Sequence, residues 1–123
     1  TGNFQAGIQA AKVIDEELKK IVINGLDFGY TLLITSDHGN LEQMKNPLNA
    51  EVDTEHNNNL VPFYFVDKRA KLKEPRKEEE VYDFKMVASG MLSDVSPTIL
   101  DLLGLEASKE MTGQSLLPIL EIF

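Results

Sequence analysis

The chain has 123 residues, 42% of them hydrophobic, and a formal net charge of −8, which suits one small packed domain or part of a larger one. The charge argues against nucleic acid as a partner, because phosphate contacts need clustered Lys and Arg, yet phosphate chemistry stays open, since bound divalent cations invert the local field. Cysteine is absent, which excludes disulfides and thiolate metal sites and suits a reducing, cytoplasmic setting; no stretch has the length to span a membrane or the pattern of a signal peptide, so no membrane partner is expected.

In chain order, residues 4–23 carry apolar side chains at Phe4, Ile8, Ala11, Ile14, Leu18 and Ile21, with Asp15, Glu16, Lys19 and Lys20 between them. Steps of three and four predict an amphipathic helix. Asn3 is its N-cap, and Asn24-Gly25 its stop. The first residue is Thr1 and the helical pattern begins almost at once, which reads as a start inside a longer chain or as the processed start of a complete domain; composition does not separate the two. A short turn at Asp27, Phe28 and Gly29 leads to Tyr30-Thr31-Leu32-Leu33-Ile34, which reads as a buried strand over 30–35. Helix, turn and buried strand form the second half of a βαβ unit, which predicts a parallel sheet.

Asp37 and His38 follow at the strand's end, where α/β sheets place their ligand sites. Gly39 permits a sharp turn there. A carboxylate and an imidazole suit Mn²⁺ or Zn²⁺. Local spacing leaves a second reading open, in which Asp37 caps a turn and His38 is a satisfied polar residue. Residues 40–44 read as one helical turn and 45–59 as a long polar loop rich in Asn. Such loops are uncommon in compact domains unless functional or disordered. The loop holds His56, the only other histidine of the chain. Two histidines and one aspartate are too few for two metals, so the remaining ligands would come from outside the chain. Glu42 is a candidate to orient His38. Lys45, Lys68 and Arg69 could bind phosphate, although nothing local separates them from surface charge. No serine sits in a nucleophile-elbow context.

Residues 60–66 read as a second buried strand, with Pro62 confined to its start or to an edge. Residues 67–85 form a charged block broken by Pro75, read as a solvated surface excursion. Residues 86–92 fit a short strand or a loop around Gly90. Residues 94–103 predict a helix with Ser96 as N-cap, Pro97 at the first helical position and Gly104 as stop. Its core face is Ile99, Leu100, Leu102 and Leu103. A loop over 105–114 and a short terminal helix or apolar tail over 115–122 complete the chain.

Five segments, in the right order along the chain, resemble the cofactor-independent (2,3-bisphosphoglycerate-independent) phosphoglycerate mutases of the alkaline phosphatase superfamily. Thr35-Ser36-Asp37-His38-Gly39-Asn40-Leu41-Glu42-Gln43-Met44 is similar to that family's metal motif. Thr54-Glu55-His56-Asn57-Asn58-Asn59-Leu60-Val61-Pro62-Phe63 is similar to its histidine loop. The stretches at 92–105 and 110–117 resemble its C-terminal signatures, and Thr1-Gly2-Asn3-Phe4 the residues that follow a further Asp…Gly-His motif. Asn57-Asn58 and Leu60 stand where the family commonly has Thr-Thr and Pro.

The resemblance implies an α/β fold: part of an alkaline-phosphatase-like domain, a mostly parallel sheet flanked by helices, with 1–123 the C-terminal part of that single metal-binding domain. It implies that Asp37 and His38 bind one Mn²⁺ and His56 a second. It implies an isomerase interconverting 3-phosphoglycerate and 2-phosphoglycerate through a phosphoserine, with no 2,3-bisphosphoglycerate requirement. The nucleophilic serine and the other ligands have no counterpart here. The segment alone is therefore expected to be inactive and, with sheet edges uncovered, to self-associate, whereas the full enzyme is expected to be a monomer. A phosphopentomutase, a phosphatase of the same superfamily, or a non-catalytic interaction module are the alternatives; Glu42-Gln43-Met44 and Met111-Thr112-Gly113 favour the mutase.

Overall fold

In the computed structural model the described residues are 2–72 and 74–120. They form two compact units, Thr1–Lys68 and Arg69–Phe123.

The first unit opens with α1, Phe4–Asp27. Asn3 caps it as expected, its Oδ1 accepting the Ala6 N–H at 3.1 Å. The stop differs from the expected one. Asn24-Gly25 lies inside the helix, and the left-handed residue is Gly29 at φ +79°. Gly29 N–H donates to Leu26 O at 3.1 Å and Tyr30 N–H to Gly25 O at 2.8 Å, the paired bonds of a Schellman end. Gly25 serves packing instead. A Cβ there would stand 3.0 Å from Leu32 Cδ1, so its bareness lets the helix approach the first strand.

That strand is β1, Leu32–Thr35, and its partner is β2, Phe63–Val66. Both are shorter than the sequence suggests. Tyr30 belongs to the helix end, and Thr31 Oγ1 donates to Asp67 Oδ2 at 2.5 Å. Pro62 stays just outside β2, where its carbonyl accepts the Thr35 hydroxyl at 2.8 Å. The strands pair antiparallel, with Leu32 opposite Val66 and Thr35 opposite Phe63. The expected parallel pairing is not found among the described residues. The connection from β1 to β2 is a helix-free loop, and a direct return reverses strand direction, whereas a parallel neighbour needs a long crossover. Both strands are half-buried rather than buried, because a two-stranded ribbon has few neighbours to cover its faces.

The connecting loop is ordered by its asparagines and Asp53. Side-chain oxygens of Asn46, Asn49, Asp53 and Asn57 accept the backbone N–H two residues on, at 2.9, 3.1, 3.0 and 2.9 Å. These Asx turns replace regular structure. Two antiparallel bridges, Lys45 with Val52 and Gly39 with Asn57, divide the loop into nested turns.

The second unit contains α2, Glu78–Met86, within the charged block where the sequence reading placed no helix. The charges are arranged along it: Glu78, Glu79 and Glu80 fill the first turn and Lys85 the last, each sign favourable at its end of the helix dipole. Lys77 N–H donates to Glu80 Oε2 at 3.0 Å. The Arg76 guanidinium stands 5.0 Å from the Phe84 ring centroid, a cation–π distance.

A single 3₁₀ turn, Leu92–Asp94, leads into α3, Val95–Leu102. The N-cap is Asp94, not Ser96, and Pro97 falls in the first turn, where a missing N–H costs no helical bond. Gly104 ends the helix as expected, at φ +68°. The buried positions of α3 are Pro97 and Thr98; Ile99 and Leu103, expected in the core, are exposed. Thr98 is fully buried, its hydroxyl donating to Asp94 O at 2.6 Å and accepting the Leu116 N–H at 2.9 Å. Asp94 accepts the N–H groups of Met91 at 2.8 Å and Gln114 at 2.9 Å. These backbone bonds favour the carboxylate over the opposing effect of burial and hold its pKa below the ordinary value of 3.8. Gly113 lets the chain cross the Ser93 backbone, whose oxygen a Cβ would overlap. The last described element is a single 3₁₀ turn, Leu117–Ile119, and 121–122 of the expected terminal helix lie outside the described residues.

Candidate metal centre

The end of β1 turns sharply. Ser36 Oγ donates to His38 O at 2.8 Å, and Gly39 and Asn57 exchange backbone bonds, Gly39 N–H to Asn57 O at 3.2 Å and Asn57 N–H to Gly39 O at 3.0 Å. Gly39 is buried, and a Cβ would overlap Asn57 Oδ1 and Glu42 Oε1. A side chain here would have to displace the ends of both of those side chains.

This double bridge brings the two histidines together. Their rings stack at 3.6 Å between centroids with 18° between planes. Asp37 Oδ1 lies 3.6 Å from His38 Nε2, and His38 Nδ1 lies 3.2 Å from Gly39 O. A protonated Nδ1 donating to that carbonyl would leave Nε2 as the free lone pair. The three residues expected to bind metal therefore converge, although they come from two separate stretches of chain.

The geometry can be tested against the donor chemistry. Two ligands sharing one ion at bonds of ~2.0–2.2 Å stand about 3.3 Å apart. The Asp37–His38 separation of 3.6 Å is near that value. The histidines do not share an ion so easily. Imidazole lone pairs lie in the ring plane, so near-parallel stacked rings direct them side by side rather than to one point. Their 3.6 Å centroid spacing is that of stacked rings. Asp37, His38 and His56 carry the donor types, carboxylate and imidazole, that divalent cations take. Among the described residues no group of three or more acidic, His or Cys side chains is arranged to hold a cation alone.

Glu42 is not where the sequence reading put it. It makes no described bond to His38. Its Oε2 accepts the Asn40 N–H at 2.8 Å and its Oε1 accepts Asn59 Nδ2 at 3.0 Å. Partial burial raises its pKa, but hydrogen bonds from Asn59, its own backbone, Asn40 and the Asn57 side chain outweigh this and lower it from 4.5 to about 2. Asn40 Nδ2 reaches Glu55 O at 3.1 Å and Thr54 O at 3.4 Å. Asn57 Nδ2 is buried without a well-formed hydrogen bond. Asn40, Asn57 and Asn59 were not singled out from sequence; their clustering in a loop with little other signal was the available clue. Of the cations considered for phosphate, Lys68 lies 3.9 Å from Asp27 Oδ1.

The model of the metalloenzyme superfamily matches residues 1–107, and the chain belongs to that superfamily. Within it, the chain is similar to proteins named 2,3-bisphosphoglycerate-independent phosphoglycerate mutase. It is 44% identical over 117 residues to that of Clostridium kluyveri and 40% identical over 117 residues to that of Idiomarina loihiensis, in each case covering 95% of this chain and 20% of the relative. It is 41% identical over 122 residues to that of Prochlorococcus marinus subsp. pastoris, covering 99% of this chain and 22% of the relative. The chain thus spans about one fifth of the length of these relatives.

Proposed function

We propose that this chain is the C-terminal part of the metal-binding domain of a phosphoglycerate mutase that interconverts 3-phosphoglycerate and 2-phosphoglycerate. The observation that carries the reading is the stacked His38–His56 pair with Asp37 beside it. Asp37 and His38 hold one divalent cation and His56 the other, with Mn²⁺ the expected ion and no bisphosphoglycerate required. When bound, the pair of cations neutralises charge on the transferring phosphoryl group and on the attacking and leaving oxygens.

The chain's own part is to present these ligands on a rigid turn. Gly39 allows the close approach, the Gly39–Asn57 bonds set the spacing, and Ser36 tightens the strand exit. The hydroxyl that carries the phosphoryl group, as a phosphoserine, comes from outside this set, so no serine here takes that role. The mostly parallel sheet of such a domain would extend from the free edge of β1, with both units of this chain in the one domain. No described helix is long and apolar enough to cross a membrane. The enzyme is read as cytoplasmic, with phosphoglycerate rather than a membrane or nucleic acid as its partner. The full enzyme is a monomer. The chain by itself self-associates through side chains such as Phe4, Ile14 and Ile21, which are 64, 57 and 55% exposed.

The test is a chimaera in which this chain replaces the matching fifth of the Clostridium kluyveri relative. Interconversion of the two phosphoglycerates, lost on chelation and in His38→Ala and His56→Ala, is expected. A cooperatively folded, Mn²⁺-loaded chimaera without that activity overturns the reading.

A further inference from the structure

His56 sits in a loop with no regular secondary structure, yet the chain on both sides of it is pinned. On its N-terminal side, the Asn40 side-chain amide holds the carbonyls of Thr54 and Glu55 at 3.4 and 3.1 Å. Directly after it, Asn57 exchanges backbone bonds with Gly39. Further on, Asn59 Nδ2 is held by Glu42 Oε1 at 3.0 Å and by Gln43 Oε1 at 3.3 Å. Every one of these anchors lies within five residues after His38. Glu42 also fixes its own side, since its second oxygen accepts the Asn40 N–H at 2.8 Å.

We propose that Asn40 and Glu42 are positioning residues that clamp the His56 loop onto the His38 turn and thereby hold the two imidazoles in register. Glu42 is the central member, because one carboxylate bonds a backbone group of one segment and a side chain of the other. Charge-assisted bonds of this kind are shorter and stronger than neutral ones, and both oxygens are engaged. The clamp touches no reacting atom. It acts through the histidines, in the way that groups behind metal ligands set their orientation. The inference rests on the two-cation reading of the histidines for its purpose, while the clamp itself is a property of the chain without metal.

The test uses the full 123-residue chain and NMR of its two histidine rings. Stacked imidazoles shift each other's Cε1 and Cδ2 proton resonances by ring current, a signature that needs no metal. Glu42→Gln keeps size and an acceptor for the Asn40 N–H but turns an amide NH₂ toward Asn59 Nδ2. It is expected to remove most of the ring-current shift and to weaken Zn²⁺ binding at His56 by ~10–100-fold, while far-UV circular dichroism shows α1 retained. Adding Asn59→Asp restores an acceptor opposite the new amide and is expected to recover the shift. Asn59→Ala opens the clamp from the other side and guards against misfolding specific to one variant.

Unchanged ring-current shifts and Zn²⁺ affinity in both Glu42→Gln and Asn59→Ala overturn the proposal. Rings that unstack in Glu42→Gln, in a chain whose wild type takes up no Zn²⁺, support the clamp and reject the metal reading instead.

Discussion

Replacing Gly39 by alanine tests whether the site is organised by backbone approach. The new Cβ would meet Asn57 Oδ1 and Glu42 Oε1. Both are ends of flexible side chains, so the backbone bridge can persist while the side chains retreat. Two bonds are then at stake, Asn59 N–H to Asn57 Oδ1 at 2.9 Å and Asn59 Nδ2 to Glu42 Oε1 at 3.0 Å. A neutral bond contributes ~0.5–1.5 kcal/mol and one to a charged group ~1.5–3 kcal/mol. Glu42 is exposed, so water replaces part of the second, and a net loss of about 1–2 kcal/mol is expected. Urea unfolding followed by circular dichroism gives the stability, and imidazole NMR gives the stack. Gly29→Ala is the control. Its φ of +79° strains any side chain but no atom stands within 4 Å of the Cβ, so it should cost ~1–2 kcal/mol without touching the histidines. Equal stability in wild type and Gly39→Ala, with the stack intact, would refute the close-approach argument.

Other consequences follow from the same contacts. Thr98→Val keeps shape but removes the acceptor of the part-buried Leu116 N–H, while the Asp94 carbonyl keeps its helical bond, so it should lower unfolding stability by about 1–2 kcal/mol; a loss under ~0.5 kcal/mol would show that water or another group serves that N–H. The folded-state pKa of Glu42 is depressed from 4.5 to about 2, so its contribution is complete above 4.5 and disappears as pH falls toward 2. Asp94, also depressed, acts in the same direction below its ordinary value. Stability should therefore decline on acidification through this window, and less steeply in Glu42→Gln; parallel acid titrations of the two proteins compare them. The chain alone should show no phosphoglycerate mutase activity in a preparation free of longer enzyme, and its sedimentation should reveal concentration-dependent association.

Much of this architecture was legible because it depends on local pattern. The three-and-four spacing of α1, the cap at Asn3, the runs that became β1 and β2, and the stop at Gly104 each follow from neighbouring residues. What failed depended on distant partners. Gly25 has the form of a helix stop but is needed against Leu32, so the stop moved to Gly29. Ser96 has the chemistry of an N-cap but Asp94, tied to Met91 and Gln114, precedes it in that role. The charged block is solvated as read, since α2 is exposed along its length; only its helical form was missed, and that lies in the local order of its charges. The direction of the β1–β2 pair is set by a connection built from Asx turns, which no strand pattern encodes. At the site, Asp37 and His38 stood out by position. Their meeting with His56 depends on the Gly39–Asn57 bridge and on Asn40, Glu42 and Asn59, and a lone histidine in an asparagine-rich loop gives no local sign of it.

The central claim is that His38 and His56 serve two different cations. The direct measurement is a Zn²⁺ titration of the chain followed by NMR of each imidazole, in wild type and in His38→Ala. The two-ion account predicts that His56 in His38→Ala still responds, at a Zn²⁺ concentration within a few-fold of wild type. Loss of the His56 response together with His38, as for ligands sharing one ion, would contradict it.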